Sequence, residues 1–142
     1  MKTLITLFSL VLLAACGKSP LQMKKSSDGA IVTELETRKV FKTTNQSLTI
    51  NWLSPINSTE EGHALLIVKK NGVVSDLAGD IKIFLWMPDM GHGSSPITVK
   101  KLGTGLYDLS QIYFIMDGLW QLRVQLKNGS DVLDEQIFEY SL

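Results

Sequence analysis

The sequence has few of the residues that disulfides, metal clusters and nucleic-acid binding require. Its 142 residues include one cysteine and two histidines, and 14 lysines and arginines balance 14 aspartates and glutamates. A single cysteine cannot form an internal disulfide. Without a basic excess there is no electrostatic support for binding nucleic acid, so no nucleic-acid partner is expected. The length predicts one domain with short appendages.

The sequence signatures of common catalytic sites are also missing. The chain has no Gly-x-Ser-x-Gly elbow, no glycine-rich phosphate-binding loop and no His-Glu-x-x-His zinc motif. Two histidines and one cysteine leave few candidates for acid–base or nucleophilic chemistry. We therefore expect a binding protein and not an enzyme.

The first 15 residues have the pattern of a secretory signal. Lys2 gives a positive start, Leu4 to Leu13 form an apolar stretch, and small residues precede Cys16. This stretch is too short for a membrane-spanning helix. Residues 13–16, Leu-Ala-Ala-Cys, resemble the bacterial lipobox, which predicts that Cys16 is lipidated. The alternative is an ordinary cleavage site beside a free thiol.

A lipid on Cys16 predicts a membrane anchor in the cell envelope. Stable anchoring takes more than one acyl chain. Gly17, and not aspartate, follows the cysteine, and by resemblance to Gram-negative lipoproteins this favours the periplasmic face of the outer membrane. Removal of Lys2 with the signal leaves 13 basic against 14 acidic residues, so the mature chain is close to neutral.

A change in composition separates this anchor from the folded domain. Residues 16–29 are rich in Gly, Ser, Lys, Pro and Asp and have no sustained apolar period. Such a composition predicts a flexible tether. The predicted organisation is a lipoprotein signal peptide over 1–15, a lipidated Cys and tether over 16–29, and a domain over 30–142.

Short alternating segments predict that the domain is all-β. An alternation of apolar and polar residues every second position marks half-buried strands, clearest from Leu119 to Lys127. Asn71-Gly72 and Asn128-Gly129 are hairpin signals. The pattern predicts seven to eight strands in an antiparallel β-sandwich, with a small barrel as the competitor. The predicted strands span residues 31–42 (one edge strand or two short ones), 47–53, 63–70, 80–86, 97–102, 106–109, 119–127 and 132–140. Val73-Val74 follows the first hairpin signal, and residues 112–116 are an apolar run. The tryptophans Trp52, Trp86 and Trp120 are the heaviest core candidates.

One stretch concentrates the soft donor atoms of the chain. Met87, Met90 and His92 lie within six residues, interrupted by Pro88 and Gly91. Thioether and imidazole ligands suit copper, with thioethers favouring Cu(I). Zinc sites usually need Cys or several His, and calcium or magnesium sites need several oxygen donors. Met116 or His63 could supply a further donor, although Met116 could equally fill a core gap and His63 could be a solvated strand end.

The same stretch has a purely structural interpretation. A Met-Pro-x-Met-Gly-His loop can close one end of a sandwich with apolar sulfur, while His92 bonds a backbone carbonyl. The sequence does not decide between this hydrophobic lid and a copper site.

Three motifs, taken together, resemble a known family. Residues 86–92 (Trp-Met-Pro-Asp-Met-Gly-His), residues 103–107 (Gly-Thr-Gly-Leu-Tyr) and residues 116–124 (Met-Asp-Gly-Leu-Trp-Gln-Leu-Arg-Val) are similar to the YtkA-like domain, which is related to the FixH proteins. The match spans roughly residues 80–127, and the N-terminal strands do not add to it. The resemblance implies an immunoglobulin-like sandwich in an exported or membrane-anchored protein. Some members of the family are associated with copper handling and cytochrome oxidase assembly.

Two functions follow from these observations. The first is an envelope lipoprotein that binds copper through Met87, Met90, His92 and Met116 and acts as a chaperone or sensor module, with a copper donor or acceptor protein as partner. The second is a non-catalytic interaction module without metal, which docks an envelope protein through an exposed edge strand or its loop end.

Overall fold

The computed structural model describes residues 38–142, which form ten β-strands and no helix. The predicted signal peptide, the lipidation at Cys16, the tether and the domain start at residue 30 lie outside the described residues. The strands are β1 (Arg38–Phe41), β2 (Gln46–Trp52), β3 (Gly62–Lys70), β4 (Val73–Val74), β5 (Asp80–Met87), β6 (His92–Gly93), β7 (Thr98–Gly103), β8 (Leu106–Ile112), β9 (Leu119–Asn128) and β10 (Asp131–Ser141). Across residues 38–142, no helix is long and apolar enough to cross a membrane.

The strands form two antiparallel sheets. One has the order β1-β2-β3-β8-β7, with β4 paired to β3, and the other has the order β10-β9-β5-β6. Without the outer strand β1 and the two-residue strands β4 and β6, the orders are β2-β3-β8-β7 and β10-β9-β5. These are the ABED and GFC sheets of an immunoglobulin constant-type domain. The predicted immunoglobulin-like sandwich is confirmed, and the barrel is wrong.

Eight strands have four or more residues, as predicted, and β4 and β6 are additional two-residue strands. The prediction of a strand from residue 31 to residue 42 is confirmed only for Arg38–Phe41, since the residues before it are not described. The apolar run at residues 112–116 forms a strand only at its first residue, Ile112. Residues 113–118 form the loop between β8 and β9, and this loop contains Phe114 and Met116.

The turns follow the chemistry of their residues. Asn71 and Gly72 have φ of 53° and 81°, which fits the two-residue hairpin between β3 and β4. Gly129, with φ of 60°, begins the two-residue turn between β9 and β10. Both predicted hairpins are confirmed, with the second turn formed by Gly129-Ser130, one residue after the predicted dipeptide.

The core lies between the sheets. One sheet contributes Leu48, Ile50, Leu66, Val68 and Leu109, and the other contributes Ile83, Leu85, Leu122, Val124 and Phe138. Trp120 is fully buried, as predicted for a core residue, while Trp52 is half-buried against the same cluster. Trp86 points to the opposite face of its sheet, where the Arg123 guanidinium lies 5.8 Å from its ring centroid. The expectation that Trp86 packs in the core is therefore wrong, because Met87 and not Trp86 continues the inward alternation of Ile83 and Leu85.

Candidate functional site

The soft-donor stretch forms a hairpin at one end of the sandwich. β5 ends at Met87, β6 begins at His92, and these two residues are direct register partners. The backbone N–H of Gly91 donates to the Met87 carbonyl at 2.9 Å, and Gly91 has φ of 66°, a conformation that glycine adopts without steric cost. The sequence Pro88-Asp89-Met90-Gly91 thus forms the loop that returns the chain to its own strand.

Met87 and His92 lie on the same face of the sheet, because directly opposed residues of an antiparallel pair share a face. Met87 follows the inward parity of Leu85 and is only 4% exposed. His92 is half-buried beside it, and its ring centroid lies 6.3 Å from that of the buried Trp120 in an edge-on arrangement. Of the four predicted copper ligands, the structure therefore brings Met87 and His92 together as cross-strand partners.

The His92 ring contacts the backbone carbonyl of its neighbour Gly93. Its Nδ1 lies 3.1 Å from the Gly93 carbonyl oxygen. A carbonyl only accepts hydrogen bonds, so a hydrogen bond at this contact requires the proton on Nδ1 and leaves Nε2 as the ring nitrogen that could bind a metal. A hydrogen bond of this kind from the second ring nitrogen is the usual orienting contact of a metal-binding histidine.

Met116 belongs to the loop that faces this hairpin. The Trp120 indole N–H donates to the Met116 carbonyl at 2.9 Å, and the Met116 side chain is 38% exposed. Two residues on, a Cβ added to Gly118 would overlap the Met87 methyl group. The segment from Met116 to Gly118 therefore lies against both Trp120 and Met87.

The other two sulfur and nitrogen candidates lie elsewhere. Met90 is at the hairpin tip and 60% exposed. His63 is on the outer face of the other sheet, where its Nε2 lies 2.5 Å from the Asp108 carboxylate. The structure does not bring Met90 to the buried face of Met87, and it does not bring His63 to the hairpin.

Both contacts of the structural interpretation are also present, since Met87 is buried and His92 bonds a backbone carbonyl. Aromatic rings pack around Trp120. The ring centroid of Phe114 lies 5.8 Å from that of Trp52 and 5.9 Å from that of Trp120. Among residues 38–142, no three His, Cys, Asp or Glu side chains are grouped to hold a metal ion. A metal at this end would therefore depend on thioether donors.

Sequence reasoning missed two neighbours of the candidate ligands. Trp120 was expected only as core, and Gly118 was expected only as a turn. The Met-x-Gly-x-Trp motif at residues 116–120 is the sequence feature that could have identified them. In the structure its glycine lies against Met87, and its indole packs edge-on with the His92 ring.

Comparison with known proteins gives one family. A family model described as YtkA-like matches residues 43–125, more than half of the chain. The match begins before β2, so the expectation that the N-terminal strands add nothing to the resemblance is wrong. No curated protein and no solved structure matches the chain.

Proposed function

The chain belongs to the YtkA-like family, and on that premise we propose that it is an envelope lipoprotein whose sandwich binds one Cu(I) ion as a chaperone or sensor module. The observation that carries the proposal is the Met87–His92 cross-strand pair, in which His92 Nδ1 lies 3.1 Å from the Gly93 carbonyl oxygen. The protein acts by binding copper and passing it on, not by catalysis.

The donors available at this end of the sandwich fit Cu(I). Thioether sulfur and neutral imidazole are ligands that Cu(I) accepts, and Cu(I) needs no carboxylate. Met87 and His92 supply one of each from adjacent strands, and Met116 offers a second sulfur from the facing loop. We assign capture and release of the ion to Met90, because this residue is 60% exposed at the hairpin tip.

A Cu(I) titration of the full chain tests this function. Under ascorbate and without oxygen, in competition with a Cu(I)-specific chelator, we expect His92→Ala to weaken affinity at least tenfold, about 1.4 kcal/mol. Met87→Leu, which keeps the apolar volume and removes the sulfur, should also weaken the Cu(I) affinity. His63→Ala is the matched control, because the only other histidine lies on the outer face of the other sheet. Unchanged affinity in both His92→Ala and Met87→Leu rules out copper binding at this site.

The membrane location is proposed from the residues before the domain. Cys16 follows Leu13-Ala14-Ala15, and we place the lipid on its thiol and N-terminus, with the anchor on the periplasmic face of the outer membrane.

Metabolic labelling with a fatty acid tests the anchor. The full chain should incorporate label and enter the detergent phase on phase separation, and Cys16→Ser should abolish both, since no other cysteine is present. Equal labelling of the Cys16→Ser variant would contradict a lipid on this residue.

A further inference from the structure

One side of β5 is largely unpaired. On one side β5 pairs with β9 from Asp80 to Trp86. On the other side β6 pairs only with Trp86 and Met87. Within the described range 38–142, no strand pairs with residues 80–85 on this second side. An unpaired strand edge is a template for a further strand.

The backbone groups that face this open side can be identified. The Met87 carbonyl accepts from the Gly91 N–H on the β6 side. Backbone groups along a strand point to alternate sides, so residues of the same parity face the same way. Leu85 confirms the parity, because its carbonyl oxygen lies 2.8 Å from where a Cβ on Gly93 would be. Ile81 and Ile83 therefore present their N–H and C=O groups to the open side.

A groove of about 540 Å³ runs along this side. It is lined by residues 81–86 of β5 and by residues between Gly93 and Val99, the latter here called its far wall. The lining is mainly apolar, with Ile83, Phe84, Ile97 and Val99 along it. Pro96 on the far wall has no N–H to donate. The unpaired backbone groups of Ile81 and Ile83 belong to β5, so β5 offers a ladder to a strand that enters the groove.

We propose that this groove binds an extended segment of a partner protein, which adds one strand beside β5. Main-chain bonds to Ile81 and Ile83 would give affinity, and alternate side chains would give specificity. Side chains on the inner face would pack on Ile83, Ile97 and Val99. Side chains on the outer face would lie beside Lys82 and Phe84.

Charge indicates the chemistry of the outward side chains. Lys82 lines the groove, with its ammonium 5.1 Å from the Phe84 ring centroid. No carboxylate within residues 38–142 forms a salt bridge with it. The partner segment is therefore apolar at alternate positions and carries an acidic residue opposite Lys82.

Two other occupants fit less well. The free edge spans six residues, about 20 Å of strand, which is short for a dimer interface that needs about 1,200 Å² or more. The N-terminal residues of this chain join at Arg38 in β1, and β1 is at the opposite end of its sheet from β7, the strand that carries Val99. Arg38, the first described residue, thus lies at the other side of the sandwich from the groove.

Hydrogen exchange of the full chain, followed by mass spectrometry, tests the proposal. The probe is a capped seven-residue peptide that alternates valine with threonine and has a central glutamate. We expect slower exchange in fragments that cover residues 80–87. We also expect at least a tenfold weaker affinity for the same peptide with proline in place of the two valines that flank the glutamate, because in an antiparallel pair these residues lie opposite Ile81 and Ile83 and bond to them. Lys82→Glu should weaken the affinity for the glutamate peptide at least fivefold. It should strengthen the affinity for a peptide that has lysine in place of the glutamate. Lys100→Glu is the matched control, because Lys100 does not line the groove.

Three results would overturn the proposal. One is unchanged exchange at residues 80–87 at millimolar peptide. Another is protection that the proline peptide produces equally well. The third is protection that rises with protein concentration in the absence of peptide, which would assign the edge to a second copy of the chain. No copper is added, so these outcomes are independent of the copper site.

Discussion

Gly105→Ala is expected to lower the free energy of unfolding by about 4 kcal/mol, from left-handed backbone strain of ~1–2 kcal/mol and overpacking of ~1–3 kcal/mol. Gly105 has φ of 65°, and an added Cβ would lie 2.6 Å from the Val68 carbonyl oxygen and 2.8 Å from the Ser75 nitrogen. Both neighbours are backbone atoms, so no side chain can move aside. Chemical denaturation of the full chain measures the loss.

The position of Gly105 explains why the backbone cannot retreat. The Gly105 carbonyl accepts from the Val68 N–H at 2.8 Å, and its own N–H donates to the Asp76 carboxylate at 3.0 Å. The turn between β7 and β8 is thereby fixed to β3 and to the loop after β4. The Lys101 ammonium and the Gly105 N–H together hold the pKa of Asp76 below its usual value. A shift of this turn in Gly105→Ala should move that pKa upward, which carboxyl NMR detects.

Gly129→Ala is the matched control for this substitution. Gly129 has φ of 60°, and a Cβ there would meet no atom within 4 Å. It therefore isolates the cost of a left-handed alanine, about 1–2 kcal/mol. Equal losses in the two variants would show that the close approach of Gly105 to Val68 and Ser75 has no energetic effect.

Alternation of side chains accounts for most of what the sequence predicted about the fold. The strand predicted over residues 119–127 spans Leu119–Asn128. Four alternate residues of this strand are buried, and only one pairing register places all four in the core: Trp120, Leu122, Val124 and Leu126. The same rule could have placed Met87 in the core, since it continues the parity of Ile83 and Leu85. It could not reveal β6, whose two residues form a strand only because Met87 and Trp86 lie opposite them.

The candidate site was predictable in composition but not in arrangement. Spacing in the sequence places Met87, Met90 and His92 in one hairpin. The position of each residue in the hairpin register, however, decides which side chains are neighbours. Met87 and His92 are register partners at the ends of the strands, whereas Met90 is at the tip. The contribution of Gly118 depends on its contact with Met87, 31 positions earlier in the sequence, which no local pattern encodes. The open side of β5 likewise depends on which strands fail to cover it.

Gly118→Ala is expected to lower the free energy of unfolding by about 3 kcal/mol, from backbone strain of ~1–3 kcal/mol and crowding of ~1 kcal/mol. Gly118 has φ of 138°, and its N–H and C=O each bond Leu142 at 3.1 Å, so two hydrogen bonds fix its backbone to that residue. An added Cβ would overlap the Met87 methyl group. Denaturation of the full chain gives the loss, and the Cu(I) titration gives a second readout, because the displaced thioether is a proposed ligand.

A double-mutant cycle with Met87→Ala separates the two causes. Met87→Ala alone should cost about 3 kcal/mol, since it empties a buried site. In that background the overlap is gone, so Gly118→Ala should retain only the strain, and the two losses should fall short of additivity by about 1 kcal/mol. Full additivity would mean that Gly118 is required for its backbone conformation alone. In that case Gly118→Ala should leave Cu(I) affinity unchanged, whereas coupling through Met87 predicts a weaker Cu(I) complex as well as a weaker fold.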